Sequence, residues 1–217
     1  MPPDPDQLLS DVAKRVFDIL FSLLVLVVTS PVFAVAAVAV KLDGPGPVIY
    51  RGVRVGRGGA PFRLNKFRTM VPDAESSGPA VTAAGDGRVT SVGRWLRRLK
   101  FDELPQFINV LAGDMSVVGP RPEHPEFVAR YDDSQRQVLT LRPGITSLAS
   151  VEFSDEESLL AGDNGQSYLD DVMPAKLALD LEYVRRQSLL LDLRIVGRTA
   201  GVVLRRVLRV SGGSRRR

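Results

Sequence analysis

Val16 to Val40 reads VFDILFSLLVLVVTSPVFAVAAVAV, almost unbroken apolar sequence between Lys14-Arg15 and Lys41. A run this long and this apolar is a membrane segment. Its 25 residues reach about 37 Å at ~1.5 Å each, more than the ~30 Å hydrocarbon core, so length alone admits a straight transmembrane helix. Ser30-Pro31 argues for another shape. An interior Pro removes one backbone hydrogen bond and clashes with the preceding turn, roughly 3 kcal/mol unless the helix bends. The first arm, Val16 to Thr29, is then only about 21 Å long and too short to cross. Cations flank both ends, Lys14 and Arg15 before, and Lys41, Arg51, Arg54, Arg57, Arg63, Lys66 and Arg68 after. They favour keeping both ends on one side. A re-entrant helix-break-helix over residues 14–42, broken at Ser30 and Pro31, satisfies both constraints. The rivals are a kinked transmembrane anchor and a signal peptide ending at Ala34-Val35-Ala36. Asp18 inside the run, the run's length and the basic sequence after it argue against the signal peptide.

The rest of the chain suits one domain. With 217 residues, 44% of them apolar and 25% charged, it can bury a real core and is not disordered over most of its length. The Pro/Asp-rich start and the SGGSRRR end read as tails. This divides the chain into an N-terminal tail over 1–13, the broken helix over 14–42, a domain over 43–210 and a basic disordered tail over 211–217. There is no cysteine, which excludes disulfides and thiolate chemistry, and a single histidine, His124, leaves little for a His-based metal site or a Ser-His triad. A formal charge of +4 points to an anionic partner: nucleic acid, phospholipid or a phosphorylated small molecule. The cations are not interleaved with aromatics, and aromatic content is only 6%, so nucleic acid is set aside.

Downstream of a turn-rich linker, LDGPGP, the segments VIYRGVRVG and PFRLNKF flank Arg57-Gly58-Gly59 and read as a short hairpin. Val71 to Gly87, rich in Gly, Ser, Ala and Asp, reads as a loop. Thr90 or Ser91 caps a helix running to about Lys100. A second helix is expected from near Asp102 to Gly113, with Pro105 in its first turn placing Asp102 and Glu103 at its N-terminus. PEFVARY and PAKLALDLEYVRRQ read as helices, with an extended PGITSLASVEF between them. Leu189 to Val210 is a last helix, on which Arg194, Arg198, Arg205 and Arg209 form one stripe opposite Val196, Ala200, Val203, Leu204 and Val207. That pattern suits a helix lying on an anionic bilayer or one packed on the domain with a basic outer face. The fold class expected is α/β, mainly helical: a re-entrant membrane segment plus a small domain with a short hairpin and amphipathic interfacial helices.

Chemistry concentrates in KFDELPQFINVLAGDMSVVGPRP, residues 100–122. A free aspartate is ~99.9% ionised at pH 7, so Asp102 needs no histidine to act as a nucleophile. A helix N-terminus would favour that charge and attract phosphate. Adjacent acids repel unless they share a cation; a divalent ion on Glu103 and Asp102 would supply one and screen a diphosphate, and oxygen ligands without His or Cys favour Mg2+. Lys66 and Arg68 of KFRTM, Arg97 and Arg98, and Arg121 of the PRP triplet make a candidate phosphate clamp. Acid-rich helix starts are also ordinary capping devices, and Gly and Pro can simply fix turns in GDMSVVGPRP.

KFRTM, LRRLKFDELPQFINVLAGDMSVVGPRP and RPGIT, behind an apolar segment broken at Ser-Pro, resemble the bacterial sugar transferase family, the monotopic phosphoglycosyl transferases, in their short catalytic form. The resemblance runs from about Lys14 to about Arg206. It implies an enzyme that moves a sugar-1-phosphate from a nucleoside diphosphate sugar, UDP-linked by expectation, to a membrane polyprenyl phosphate such as undecaprenyl phosphate. Nucleoside monophosphate is released and assembly of a surface glycan or exopolysaccharide begins. It further implies that Asp102 attacks the sugar-bearing phosphate to form a covalent phosphosugar intermediate, that Glu103 helps hold magnesium, and that Lys66, Arg97, Arg121 and, more weakly, Arg68 line the phosphate site. Residues 43–210 become a cytoplasmic catalytic domain on the inner membrane of a bacterium, in contact with membrane lipids, with self-association left open. The departures are Phe101 where Leu is common, and SLASVEF after PGIT, which leaves the sugar open. The alternative from another class is a non-enzymatic membrane-anchored scaffold that binds anionic lipid or polyanions.

Overall fold

The computed structural model describes residues 5–74, 77–78, 82, 85–154 and 168–213, and their side chains apart from those of 5–8 and 209–213. The chain opens with two helices, α1 (Pro5–Val28) and α2 (Ser30–Leu42). They meet at a 64° bend, and no single described helix is long and apolar enough to cross a bilayer. Pro31 has no N–H for the carbonyl of Val27, and the Ser30 hydroxyl donates to that oxygen instead at 2.9 Å, while Thr29 Oγ1 donates to Val25 at 2.7 Å. The Ser-Pro pair thus makes a bend without orphaning a carbonyl. Helix α1 starts at Pro5, inside the stretch expected as a tail.

Helix α1 docks through a mixed face, on which Phe17, Phe21, Val25 and Leu26 also pack into the core, and turns a second apolar face outward. Its buried side carries Asp18 and Ser22, while Leu20, Leu24, Val27 and Val28 on the outer side are each at least 60% exposed. Asp18 Oδ1 accepts from Ser116 Oγ and from the Val117 amide, both at 3.0 Å. Lys14 Nζ donates to the Val118 carbonyl at 3.0 Å and pairs with Asp192 at 2.8 Å. Arg15 donates to the carbonyls of Val110 and Leu111, at 2.7 and 3.2 Å. The two cations expected to flank a membrane segment are therefore committed to tertiary contacts, because carbonyls at a helix C-terminus and a buried carboxylate offer stronger partners than water.

The hairpin forms as expected. Strands β1 (Ile49–Val55) and β2 (Pro61–Phe67) pair antiparallel, Tyr50 opposite Lys66, across a turn in which Gly58 and Gly59 take φ of 69° and 80°. Helix α3 (Ser91–Leu99) is capped by Thr90, whose hydroxyl accepts the Gly93 amide at 3.0 Å. Most of the expected loop over 71–87 is described only in part, at 71–74, 77–78, 82 and 85–87.

The next helix departs from expectation. Lys100 turns left-handed at φ 60°, Phe101–Glu103 form a separate 3-10 turn, and α4 (Gln106–Ala112) starts only after Pro105. Asp102 and Glu103 therefore precede α4 and do not cap it. The turn is held by Phe101 and Leu104, which pack into an apolar cluster formed by Ala36 and Val40 of α2, Phe67 of β2 and Leu96 of α3. Burial of these apolar neighbours decides the path of the chain over helix propensity.

GDMSVVGPRP and RPGIT, read as loop and extended segment, contain the two strands of a parallel pair, β3 (Ser116–Val118) and β4 (Gly144–Thr146). Short helices α5 (Pro125–Val128) and α6 (Leu148–Glu152) follow each of them, so only Gly144–Thr146 of PGITSLASVEF is extended. Helices α7 (Met173–Arg186) and α8 (Leu189–Gly213) close the chain. Helix α8 runs through 211–213, which were expected in the tail. Its buried residues are Asp192 and Ile195. Leu204, expected on the face away from the arginines, is 58% exposed, and the exposed side mixes Leu190, Leu193 and Leu208 with Arg194, Arg198 and Arg205. The expected clean division of the helix fails because the docked face starts at Asp192, which Tyr183 and Lys14 bind. The Arg209 side chain lies outside those described.

Candidate active site

The site is built around one oxygen. Glu103 Oε1 accepts from Lys66 Nζ at 3.2 Å and from Arg121 Nη2 at 3.0 Å. Lys66 comes from β2, Glu103 from the 3-10 turn and Arg121 from the loop after β3, so three separate segments converge. Burial alone would raise the Glu103 pKa. The charges of Lys66, Arg121 and Lys100, with the hydrogen bond from Arg121, outweigh that and hold the carboxyl well below its usual range.

Asp102 sits in the same turn and titrates the other way. It is buried, and its Oδ1 has no hydrogen-bond partner. Burial and the neighbouring Glu103 charge push its pKa up, against Lys66, Lys100 and Arg97. The helix-terminus stabilisation expected from sequence is replaced by a pocket of cations. Lys66 is pushed down by burial, against the Glu103 and Asp102 charges, with Arg121 and Arg54 adding to the push. Four cations, Lys66, Arg97, Lys100 and Arg121, thus act electrostatically on two acids. The excess positive charge is what a diphosphate would meet. Arg54 is a cation that sequence reasoning assigned only to the flank; on β1 it lies opposite Phe62 and is near enough to act on Lys66.

The other predicted residues divide. Arg97 donates through Nε to Thr69 Oγ1 at 2.9 Å, which holds it beside Asp102. Arg68 goes elsewhere. Its Nη2 donates to the carbonyls of Val40 and Gly44, both at 2.7 Å, and its Nη1 to Pro45, closing the C-terminal end of α2 and the linker after it. The reason is local: unpaired carbonyls at a helix end attract a guanidinium. Ser30 and Pro31 lie at the α1–α2 bend.

Three motif residues that sequence chemistry left without a role, Asn109, Gly119 and Gly144, hold the frame. Asn109 accepts the Asn65 amide at 2.9 Å and donates to the Arg63 carbonyl at 2.7 Å, which ties α4 to β2. It also donates to Asp114 at 3.2 Å. A Cβ on Gly119 would lie 2.4 Å from the Arg142 carbonyl, and one on Gly144 would lie 2.2 Å from the Gly119 amide. The glycines of VGPRP and RPGIT are therefore needed where two backbones touch.

No group of three or more His, Cys, Asp or Glu suited to a metal occurs among the described residues. Asp102 and Glu103 still fit magnesium in one respect: an unpartnered carboxylate oxygen lies next to a second carboxylate, and Mg2+ is commonly held by one or two carboxylates with substrate phosphates and water.

A small, α/β, mainly helical domain joined to a bent apolar helix pair, with paired acids among cations, defines a class of phosphate-handling transferase. The chain belongs to the bacterial sugar transferase family, a family of enzymes whose sequence profile matches residues 9–206. It is 41% identical over 207 residues to the UDP-glucose:undecaprenyl-phosphate glucose-1-phosphate transferase of Caulobacter vibrioides, covering 89% of this chain and 70% of that one. It is 39% identical to the UDP-N-acetylgalactosamine-undecaprenyl-phosphate N-acetylgalactosaminephosphotransferase of Aeromonas hydrophila, over 88% of this chain and 43% of the relative. A UDP-glucose:undecaprenyl-phosphate glucose-1-phosphate transferase of Escherichia coli is also 39% identical, over 84% and 38%. The chain thus spans less than half the length of the latter two. Family membership sets aside the non-enzymatic scaffold.

Proposed function

We propose that this protein transfers a sugar-1-phosphate from a UDP-sugar to undecaprenyl phosphate, at the cytoplasmic face of a bacterial inner membrane. The observation that carries the reading is the Glu103 oxygen shared by Lys66 and Arg121, next to the unpartnered Asp102 oxygen. The named relatives agree on UDP donors and undecaprenyl phosphate and differ in the sugar, glucose or N-acetylgalactosamine.

In the first step an Asp102 carboxylate oxygen bonds to the sugar-bearing phosphorus, and the bond from that phosphorus to the bridging diphosphate oxygen breaks, so UMP leaves with the electron pair. In the second, an oxygen of the lipid phosphate attacks the same phosphorus and expels Asp102, giving the polyprenyl diphosphate sugar. Lys66, Arg97 and Arg121 bind and orient the phosphates, and Arg121 and Lys66 keep Glu103 ionised. Magnesium, when bound by Asp102 and Glu103, would neutralise charge on the diphosphate. The raised pKa of Asp102 favours a nucleophile whose charge is not fully stabilised before substrate arrives.

The second substrate is lipid-anchored, and two features support a site at the headgroup plane. The turn carrying Asp102 shares an apolar cluster with Ala36 and Val40 of α2, and α1 and α2 show their apolar sides outward. On this reading residues 14–42 form a re-entrant segment, residues 43–210 a cytoplasmic domain, and the Leu/Arg outer side of α8 lies against lipid headgroups. The reading leaves self-association open. The test is Asp102→Asn with labelled UDP-sugars: trapping of labelled phosphosugar on the protein and release of UMP should both fall by at least about 10³-fold. Turnover near the wild-type rate would refute the nucleophile. A screen of UDP-sugars by released UMP assigns the donor.

A further inference from the structure

The loop that presents Arg121 is tied down at nearly every residue. The Gly119 amide donates to the Thr146 carbonyl at 3.1 Å, the Pro120 carbonyl accepts from Gly144 at 2.9 Å, and the Glu123 carbonyl accepts from Val55 at 3.1 Å. Those three ties are backbone to backbone. At Arg121 itself the tie is a side chain: its amide donates to Asp180 Oδ2 of α7 at 3.1 Å. Asp180 is 3% exposed, and its other oxygen, Oδ1, has no hydrogen-bond partner.

Around it, Glu123 Oε1 accepts from Tyr168 at 2.7 Å and from Lys176 at 3.4 Å, and Lys176 is itself buried on α7. Asp180, Glu123, Lys176 and Arg121 all line one small crevice. Burial pushes Asp180 up to about 6, although the Arg121 amide, Ser147 and the Lys176 charge pull it down. A buried acid with one oxygen unpaired is a destabilising choice for packing alone. Besides the Ser147 side chain, its directed contact is the Arg121 amide, whose side chain then reaches Glu103.

We infer that Asp180 is a positioning residue for the reaction proposed above: by accepting the Arg121 amide it sets where the guanidinium starts, and hence how it meets Glu103 and a substrate phosphate. It acts only through Arg121 and touches no reacting atom. The inference rests on the proposed function for its kinetic consequence, and on geometry alone for the tether.

Both parts are tested with Asp180→Asn, which keeps an acceptor of the same shape, and Asp180→Ala, which removes it. Without substrate, hydrogen exchange of the Gly119, Arg121 and Glu123 amides should quicken in the Ala variant and stay near wild type in the Asn variant. With a UDP-sugar and undecaprenyl phosphate, Asp180→Ala should lower kcat roughly 10- to 100-fold, the range for an ångström-scale misplacement, with KM little changed. Asp180→Asn should restore most of it. In an Arg121→Lys background, Asp180→Ala should cost much less than it does alone, because both changes act on one contact. Equal losses in the Asn and Ala variants, or fully additive losses with Arg121→Lys, overturn the inference. Should the Ala variant fail to fold, a loss beyond roughly 10-fold in the Asn variant overturns it by itself. If the wild-type protein turns over no UDP-sugar, the functional reading fails, and amide exchange alone decides the tether.

Discussion

Glu103, partly buried, and Asp180, buried, both bind Arg121, one through its guanidinium and the other through its backbone amide, and they titrate in opposite directions. Glu103 has two cations on one oxygen and is held well below its usual pKa. Asp180 has an amide, the Ser147 side chain and the charge of Lys176, and burial wins. Asp102 beside Glu103 shows that no separation along the chain is needed for such a reversal: one position along the same turn is enough. What distinguishes these acids is that Glu103 has two cations in direct contact, whereas burial dominates at Asp102 and Asp180.

The comparison extends to Asp18, a carboxylate whose bonds go to Ser116, the Val117 amide and, at 3.6 Å, Lys14. Asp18→Ala strands those donors and should cost about 3–5 kcal/mol of stability, read by thermal unfolding in detergent or nanodiscs. A change below about 1 kcal/mol would show that the polar stripe on α1 is not what docks it.

Next in size is Glu103→Gln, which removes the charge that Lys66 and Arg121 share. Turnover should fall roughly 10²- to 10³-fold, and the dependence on added magnesium should weaken. An unchanged metal response would remove Glu103 from the metal-binding proposal.

For Asp180 the prediction is a pH dependence with the reverse sign. Its folded pKa, about 6, lies above the ordinary aspartate value of 3.8, so the native state binds this proton more tightly. The group's contribution is therefore most favourable below the unfolded pKa and is lost as pH rises through about 6. At neutral pH the buried charge costs up to roughly 3 kcal/mol. Asp180→Asn should accordingly gain stability relative to wild type between about pH 4 and 6 and hold that gain above. A difference between the two proteins that is flat in pH would refute the assignment.

The smallest effect belongs to Arg68, whose bonds go to α2 and the linker. Arg68→Ala should lower stability by about 1–2 kcal/mol and leave KM for the donor unchanged. A large rise in KM would return Arg68 to the phosphate site.

Much of this was legible along the chain. The Ser30-Pro31 break, the hairpin about Gly58-Gly59, the Thr90 cap and the stop at Gly113 each follow from properties of one or two residues. Lys66, Glu103 and Arg121, named from their chemistry, do meet. The misreadings share a cause. Lys14 and Arg15 are read only as flanking cations, and Arg68 as a phosphate ligand, because nothing local shows that distant carbonyls need donors. The parallel β3–β4 pair escaped notice because each strand is three residues long and its partner lies beyond an intervening helix.

By itself the sequence determined the apolar run and its break, the local turns, and which side chains can carry charge, since these depend on composition and on backbone sterics over a few residues. Only the tertiary structure decided which charges meet. It set Glu103 between two cations, left an Asp102 oxygen without a partner and put Asp180 beneath Arg121, because burial and contact partners, not residue type, set the energy of a charge.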